Sequence, residues 1–349
     1  MSASVTDMSV FTGADEPLLH GGDLDAARRL FPGAPEPFID LSTGINPNPY
    51  PLPRFPADLF ARLPAPDAVS ALAAVAARAY GAPSAAQIVP APGTQILLPL
   101  VAALVRPGRA AVLTPTYGEL SRAAALAGHS VKAVRALDDI GDARLVMIAN
   151  PNNPDGRLHR KDALIALADA LRTCGGVLVV DEAFMDVGPP DASLAAELSP
   201  GNIVVLCSFG KFFGLAGIRL GFALTAPPMA ARLSATLGPW AVSGPALAVG
   251  VKALADAAWI ERTRSRLAKA AKRLDAILIG AGLEIVGGTS LFRLARTPAA
   301  QALFHHLGRA GILTRVFSDR KEWLRFGLPG STRQWRRLQA AMERWQRRA

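Results

Sequence analysis

The sequence predicts an α/β fold, with a mostly parallel sheet covered by helices on both faces and a smaller α+β domain after it. Three observations predict it. Short apolar runs of strand length, "AAVLTP", "ARLVMIANP", "GGVLVVDEAF" and "NIVVLCSFG", alternate with alanine-rich helical patterns, and strands alternating with helices build parallel sheets buried on both sides. Past about residue 245 the pattern changes to one long helical stretch and then to further strand-like runs. A chain of 349 residues, 50% of them hydrophobic, can bury one large core and a smaller one.

Taken in order, residues 1–45 read as a polar, loop-like arm that runs into "STGINPNPYPLPRFP", too rich in proline for a continuous helix or a central strand. Residues 46–245 form the large domain, opened by the helical "DAVSALAAVAARAYG" and then "IVPA". Residues 246–349 form the small domain, with the arm expected to complete it. Its elements are the long helix "ALAVGVKALADAAWIERTRSRLAKAAKRLDAIL", then "LEIVGGTSLFRLAR", a helix, "GILTRVF" and "EWLRFGLPG".

Composition limits the function classes. The net charge of +10 concentrates near the end, in "RQWRRLQAAMERWQRR". There Trp335, Leu338, Met342 and Trp345 recur at helical spacing, which makes the segment an amphipathic helix docked by its apolar stripe. Nucleic acid and membrane are not expected as partners, and small anionic ligands suit the basic balance. Cys174 and Cys207 are too few for a disulfide framework or a metal site. The N-terminus lacks the basic start and apolar run of a signal peptide, and no apolar stretch reaches spanning length. A cytoplasmic protein without metal is expected.

Ligands of parallel sheets bind beyond the carboxyl ends of the strands, and the polar residues there differ in kind. After "IVPA" come Gly93, Thr94 and Gln95, a glycine turn opening a helix whose free N–H groups favour an anion. Tyr117 follows "AAVLTP", placed where a ring can stack on a flat ligand. Asn153 lies in "NPNNPDG" after the next run, and Asp181 ends "GGVLVV". An aspartate there is costly to bury without a cation. "SFGKFFGLAGIRLGF" adds Ser208, Lys211 and Arg219, two isolated cations in a small, apolar, glycine-rich stretch. Desolvation favours the free amine of such a lysine, the form that makes a Schiff base with an aldehyde, and an arginine beside it can neutralise a phosphate.

This ordered set of Asn, Asp, Lys and Arg resembles the fold type I, aspartate-aminotransferase-like pyridoxal-phosphate enzymes over nearly the whole chain. The resemblance implies pyridoxal 5'-phosphate as cofactor, with Lys211 bonded to its aldehyde and Asp181 paired with its pyridinium nitrogen. It also implies Asn153 on the phenolic oxygen, Tyr117 stacked on the ring, and Gly93, Thr94, Gln95, Ser208 and Arg219 around the phosphate. Within the family, "HGGD" at 20–23, "IDLSTGINPNPYP", Phe184 and "GPWAVSGPA" are similar to the group holding threonine-phosphate decarboxylases and histidinol-phosphate aminotransferases, on the decarboxylase side.

That likeness implies a lyase acting on L-threonine O-3-phosphate in cobalamin biosynthesis. A class I/II aminotransferase is the alternative, and a regulator or binding protein on this fold a second one. By position the resemblance implies Arg325 on the substrate carboxylate and Arg315 near its phosphate, while His20 and Asn46 close the site from the arm, with Gly21 also at the substrate. His20 fits two readings, substrate contact or turn cap. Asp155 stands where the family turn has threonine, and Leu63 where relatives often carry a tyrosine reaching a neighbouring subunit's site. A homodimer is implied by the resemblance alone.

Overall fold

The structure is a computed structural model and describes residues 21–347. Before the large sheet lie α1 (Leu24–Leu30), β1 (Ile39–Asp40), α2 (Asp58–Ala61) and α3 (Pro66–Tyr80). The strands of the large sheet are β2 (Ile88–Ala91), β3 (Arg109–Leu113), β4 (Ser130–Val134), β5 (Leu145–Ala149), β6 (Val177–Asp181), β7 (Ile203–Ser208) and β8 (Gly221–Thr225). Between and after them come α4 (Thr94–Leu104), α5 (Glu119–Leu126), α6 (Lys161–Thr173), α7 (Phe209–Phe212) and α8 (Pro227–Leu237).

The seven strands lie in the order β2-β8-β7-β6-β5-β3-β4. Only β8 is reversed, antiparallel to both β2 and β7. Every residue of β5, β6, β7 and β8 is buried, as a sheet covered on both faces requires. Alternate residues feed opposite cores: Val146 and Ile148 join one apolar cluster, Leu145, Met147 and Ala149 the other.

Next come α9 (Gly244–Ala255), α10 (Ala257–Gly280), β9 (Glu284–Thr289), β10 (Phe292–Arg296), α11 (Ala300–Arg309), β11 (Ile312–Leu313), β12 (Arg315–Val316), β13 (Trp323–Gly327) and α12 (Thr332–Gln346). Four of these strands form an antiparallel sheet, β12-β13-β10-β9, and β1 of the arm pairs in parallel with β11. The basic helix α12 buries Trp335, Leu338, Ala341 and Met342. Its Arg337 donates to the carbonyls of Ala310 and Pro37 at 2.9 and 2.7 Å, and to that of Pro35, clamping the arm. Among the described residues, no helix is long and apolar enough to cross a membrane.

Two local expectations are corrected. The stretch read as one long helix is two, broken at Asp256 (φ −86°, ψ 72°), whose carboxylate accepts from the Trp259 N–H at 2.9 Å and so caps α10. The arm, read as loop, contains α1, started by Asp23 accepting from the Ala26 N–H at 2.8 Å. Seven residues are too few to show a helical period, so only the cap betrays it.

Candidate active site

A cavity of about 460 Å³ opens where β5, β6 and β7 end. Asp181, the last residue of β6, is 9% exposed and lines it together with Lys211 of α7. Burial pushes the Asp181 carboxyl up to about 6, opposed by the Ala183 N–H, which donates to it at 3.1 Å, and by the nearby Lys211 charge. Burial likewise lowers the Lys211 ammonium to about 8, helped by the positive charge of Arg325. A lysine so placed carries an appreciable neutral fraction near neutral pH, which makes it a nucleophile for a carbonyl group.

One end of the cavity is an anion cup. Helix α4 starts at Thr94 behind Gly93, whose backbone (φ 90°, ψ 159°) lies in a region open to glycine. A Cβ on Gly93 would sit 2.6 Å from the Arg219 guanidinium, and one on Gly221 would sit 2.6 Å from the Thr94 nitrogen. Both glycines let α4 and the Arg219 loop close on the same space. Arg219 takes a left-handed backbone (φ 52°), and its Nη1 donates to the Ala216 carbonyl at 3.0 Å, which aims the guanidinium into the cavity wall. Free N–H groups of a helix start, a guanidinium and the Ser208 hydroxyl line one region, the chemistry of a phosphate site.

The side wall carries Tyr117, Gln95 and Asn153. Tyr117 donates its hydroxyl to Gln95 Oε1 at 3.0 Å, and Gln95 Nε2 donates to Glu119 at 2.8 Å. Burial, with the Glu119 charge, pushes the Tyr117 phenol up to about 12. Asn153 accepts from Arg325 Nη1. Its neighbour Asn152 holds the loop instead, accepting from Thr116 Oγ1 at 2.7 Å and donating to Pro115 O and Asp155 Oδ1 at 2.8 and 2.7 Å. Asp155 also accepts from the Arg157 N–H at 3.0 Å, so the aspartate builds the turn that leaves Asn153 in place.

From the small domain, Arg325 reaches the same cavity. It is 7% exposed, its Nη2 donates to the Ser42 carbonyl at 2.7 Å, and its Nε has no acceptor among the described residues. Burial and the neighbouring Arg315 charge lower its guanidinium to about 10. Arg315 and Arg325 are cross-strand partners on β12 and β13 and share one face of that sheet. Arg325 lines the cavity; Arg315 stands outside its wall, half-buried. Gly21 also lines the cavity, where a Cβ would fall 2.5 Å from the Ser42 carbonyl oxygen.

Asn46 is 1% exposed and is not among the residues that line the cavity. Its backbone N–H donates to the Lys211 carbonyl at 2.9 Å, its Nδ2 donates to the Phe212 carbonyl at 2.9 Å, and its Oδ1 accepts from the Asn48 N–H at 3.0 Å. It braces the turn that carries Lys211. His20 lies outside the described residues. Sequence reasoning missed several residues that line the cavity, among them Thr43, Gly44, Glu119 and Arg122. Gly44 had a signal in "STGINP": a Cβ there would sit 2.8 and 3.0 Å from the Phe184 and Phe292 rings. The last two, at the start of α5, offered none. His129 and His306 are buried against the carbonyls of Ala102 and Ala341 at 3.0 and 2.9 Å, a packing role. Among the described residues no cluster of metal ligands occurs. Burial pushes the Cys207 thiol well up, so it is not a reactive thiolate.

The fold is the aspartate-aminotransferase-like one. The chain belongs to the aminotransferase class I and II family, whose sequence profile matches residues 59–341. It is 43% identical over 337 residues to a threonine-phosphate decarboxylase from a Sinorhizobium species, covering 94% of this chain and 98% of that one. A threonine-phosphate decarboxylase from Pseudomonas aeruginosa is 40% identical over 334 residues, covering 93% and 97%. Among solved structures, the histidinol-phosphate aminotransferase from Sinorhizobium meliloti in complex with pyridoxal-5'-phosphate superimposes with a TM-score of 0.79. It is 22% identical, with 99% of this chain and 100% of that one covered.

Proposed function

We propose that this chain is a pyridoxal-phosphate-dependent lyase that decarboxylates L-threonine O-3-phosphate to (R)-1-amino-2-propanol O-2-phosphate, a step of cobalamin biosynthesis. The observation that carries the reading is identity of 43% and 40% along almost the full length of two proteins named for that activity. A cytoplasmic location and a homodimer complete the reading.

The residues fit the cofactor. Asp181 is a buried carboxylate to which the described residues offer the Ala183 N–H and the Lys211 charge, and a pyridinium N–H would complete its pairing. The Gly93–Arg219 cradle, too tight for a Cβ, suits the phosphate. Tyr117 would cover the ring, Asn153 would meet its phenolic oxygen, and Lys211 would hold its aldehyde carbon. When bound, pyridoxal 5'-phosphate supplies an electron sink for the bond broken at the substrate's α-carbon.

The chain then selects the bond. Arg325 offers a planar fork to the substrate carboxylate from the small-domain side, and the bond held perpendicular to the ring is the one that breaks. The Lys211 amine, lowered to about 8, holds or delivers a proton at the α-carbon after carbon dioxide leaves. Positive charge from Arg325 and Arg315 suits a substrate bearing both a carboxylate and a phosphate.

The test mixes cofactor-loaded protein with L-threonine O-3-phosphate and follows carbon dioxide. Stoichiometric and repeated release is expected. No release, with histidinol phosphate instead driving the cofactor to its pyridoxamine form, would assign an aminotransferase.

A further inference from the structure

Arg325 is oriented by two oxygens from distant parts of the chain, Asn153 Oδ1 and the Ser42 carbonyl. The first belongs to the cavity wall. The second is fixed from outside it. Ser42 is 1% exposed, and its N–H and hydroxyl both donate to Asp40 Oδ1, at 2.8 and 2.6 Å. Thr43 Oγ1 donates to the other oxygen of Asp40 at 3.3 Å. The Ser42 hydroxyl in turn accepts from the Gly22 N–H at 2.8 Å, next to the cavity-lining Gly21. Asp40 is held by β1, paired with Leu313 of β11, and the following Leu41 N–H donates to the Leu313 carbonyl at 2.7 Å.

One carboxylate therefore sets, through one serine, both the carbonyl against which Arg325 leans and the glycine turn on the cavity wall. A long arginine side chain has many rotamers, and a fixed acceptor removes most of them before a ligand arrives. Group positions in such sites matter at the scale of about 0.5 Å.

We propose that Asp40 and Ser42 form a positioning latch that aims Arg325 at the carboxylate of the substrate and so gives the cavity its preference for carboxylate-bearing phosphates. The latch rests on the reading of Arg325 as the carboxylate-gripping group. Neither latch residue lines the cavity, so each acts through Arg325 and the Gly21–Gly22 turn.

The test measures binding to the cofactor-loaded protein of two unreactive probes without an amine, 3-phosphoglycerate and glycerol 3-phosphate, which differ in the carboxylate. The unaltered protein should prefer 3-phosphoglycerate. Asp40→Ala should reduce that preference about tenfold, the scale of one or two lost hydrogen bonds, with glycerol 3-phosphate and cofactor binding within twofold. Asp40→Asn keeps an oxygen for both Ser42 bonds and should restore most of the preference. Ser42→Ala, which keeps its carbonyl, should lose about threefold and serves alone if Asp40→Ala does not fold. Equal weakening of both probes, or an unchanged preference in both alanine variants, overturns the latch. Absence of any preference in the unaltered protein overturns the Arg325 reading with it. Carbon dioxide release from L-threonine O-3-phosphate is scored separately, so a different substrate identity leaves the probe comparison decisive.

Discussion

Replacing Gly93 by alanine separates two costs that the structure places at one residue. The backbone at φ 90°, ψ 159° is strained for any side chain, at about 1–3 kcal/mol. That strain exists with or without ligand, so it lowers the melting temperature and leaves the cofactor affinity alone. The new Cβ would also lie 2.6 Å from Arg219 Nη2 and 3.2 Å from its Cζ. Because the obstacle is the end of a flexible side chain, the guanidinium swings away and the backbone stays. Its charge-assisted bond to a phosphate is then lost, at about 1.5–3 kcal/mol, which raises the dissociation constant roughly ten- to 150-fold. Titrating cofactor-free protein with pyridoxal 5'-phosphate, followed by absorbance, measures this directly, and Arg219→Gln should give a loss of similar size. A Gly93→Ala dissociation constant within twofold of the unaltered protein would mean that Arg219 does not face the phosphate.

Three further outcomes are expected. Lys211→Ala should lower turnover by at least about a hundredfold, and mass spectrometry after borohydride treatment should find no cofactor fixed to the chain; a fixed cofactor would name another amine. In cofactor-free protein, burial raises Asp181 to about 6 and Glu182 and Asp186 to about 7, so the folded state holds protons that the unfolded chain releases near pH 4. Their contribution is complete below pH 4 and lost as pH rises through 6–7. The urea midpoint should therefore fall between pH 5 and 7.5, and a rise would contradict the burial of these carboxyls. Lys211, lowered from 10.5 to about 8, acts in the opposite sense, adding stability as pH climbs from 8 towards 10.5. Leu338→Ala removes a fully buried side chain from the apolar stripe of α12 and should cost about 2–5 kcal/mol by urea denaturation, where less than about 1 would show a loosely held helix.

Sequence alone determined the features that depend on neighbours along the chain. Strands β3, β5, β6 and β7 were legible because each is an unbroken apolar run closed by a turn, and α12 because its large apolar residues return every three or four positions. Lys211 and Arg219 stood out as isolated cations in an apolar, glycine-rich stretch and Asp181 as an aspartate closing an apolar run, and the cavity does gather them. The tertiary structure decided what depends on partners far apart in sequence. It reversed β8 between β2 and β7, broke the long helical run at Asp256, and put Arg325 rather than its strand partner Arg315 on the cavity wall. It turned Asn46 beneath the lysine turn instead of into the cavity. It also brought the Ser42 carbonyl to Arg325 across 283 positions. A local pattern encodes burial and period, because those follow from the residue's own chemistry and its near neighbours. A hydrogen-bond acceptor can come from anywhere in the chain, and only the folded arrangement selects which one arrives.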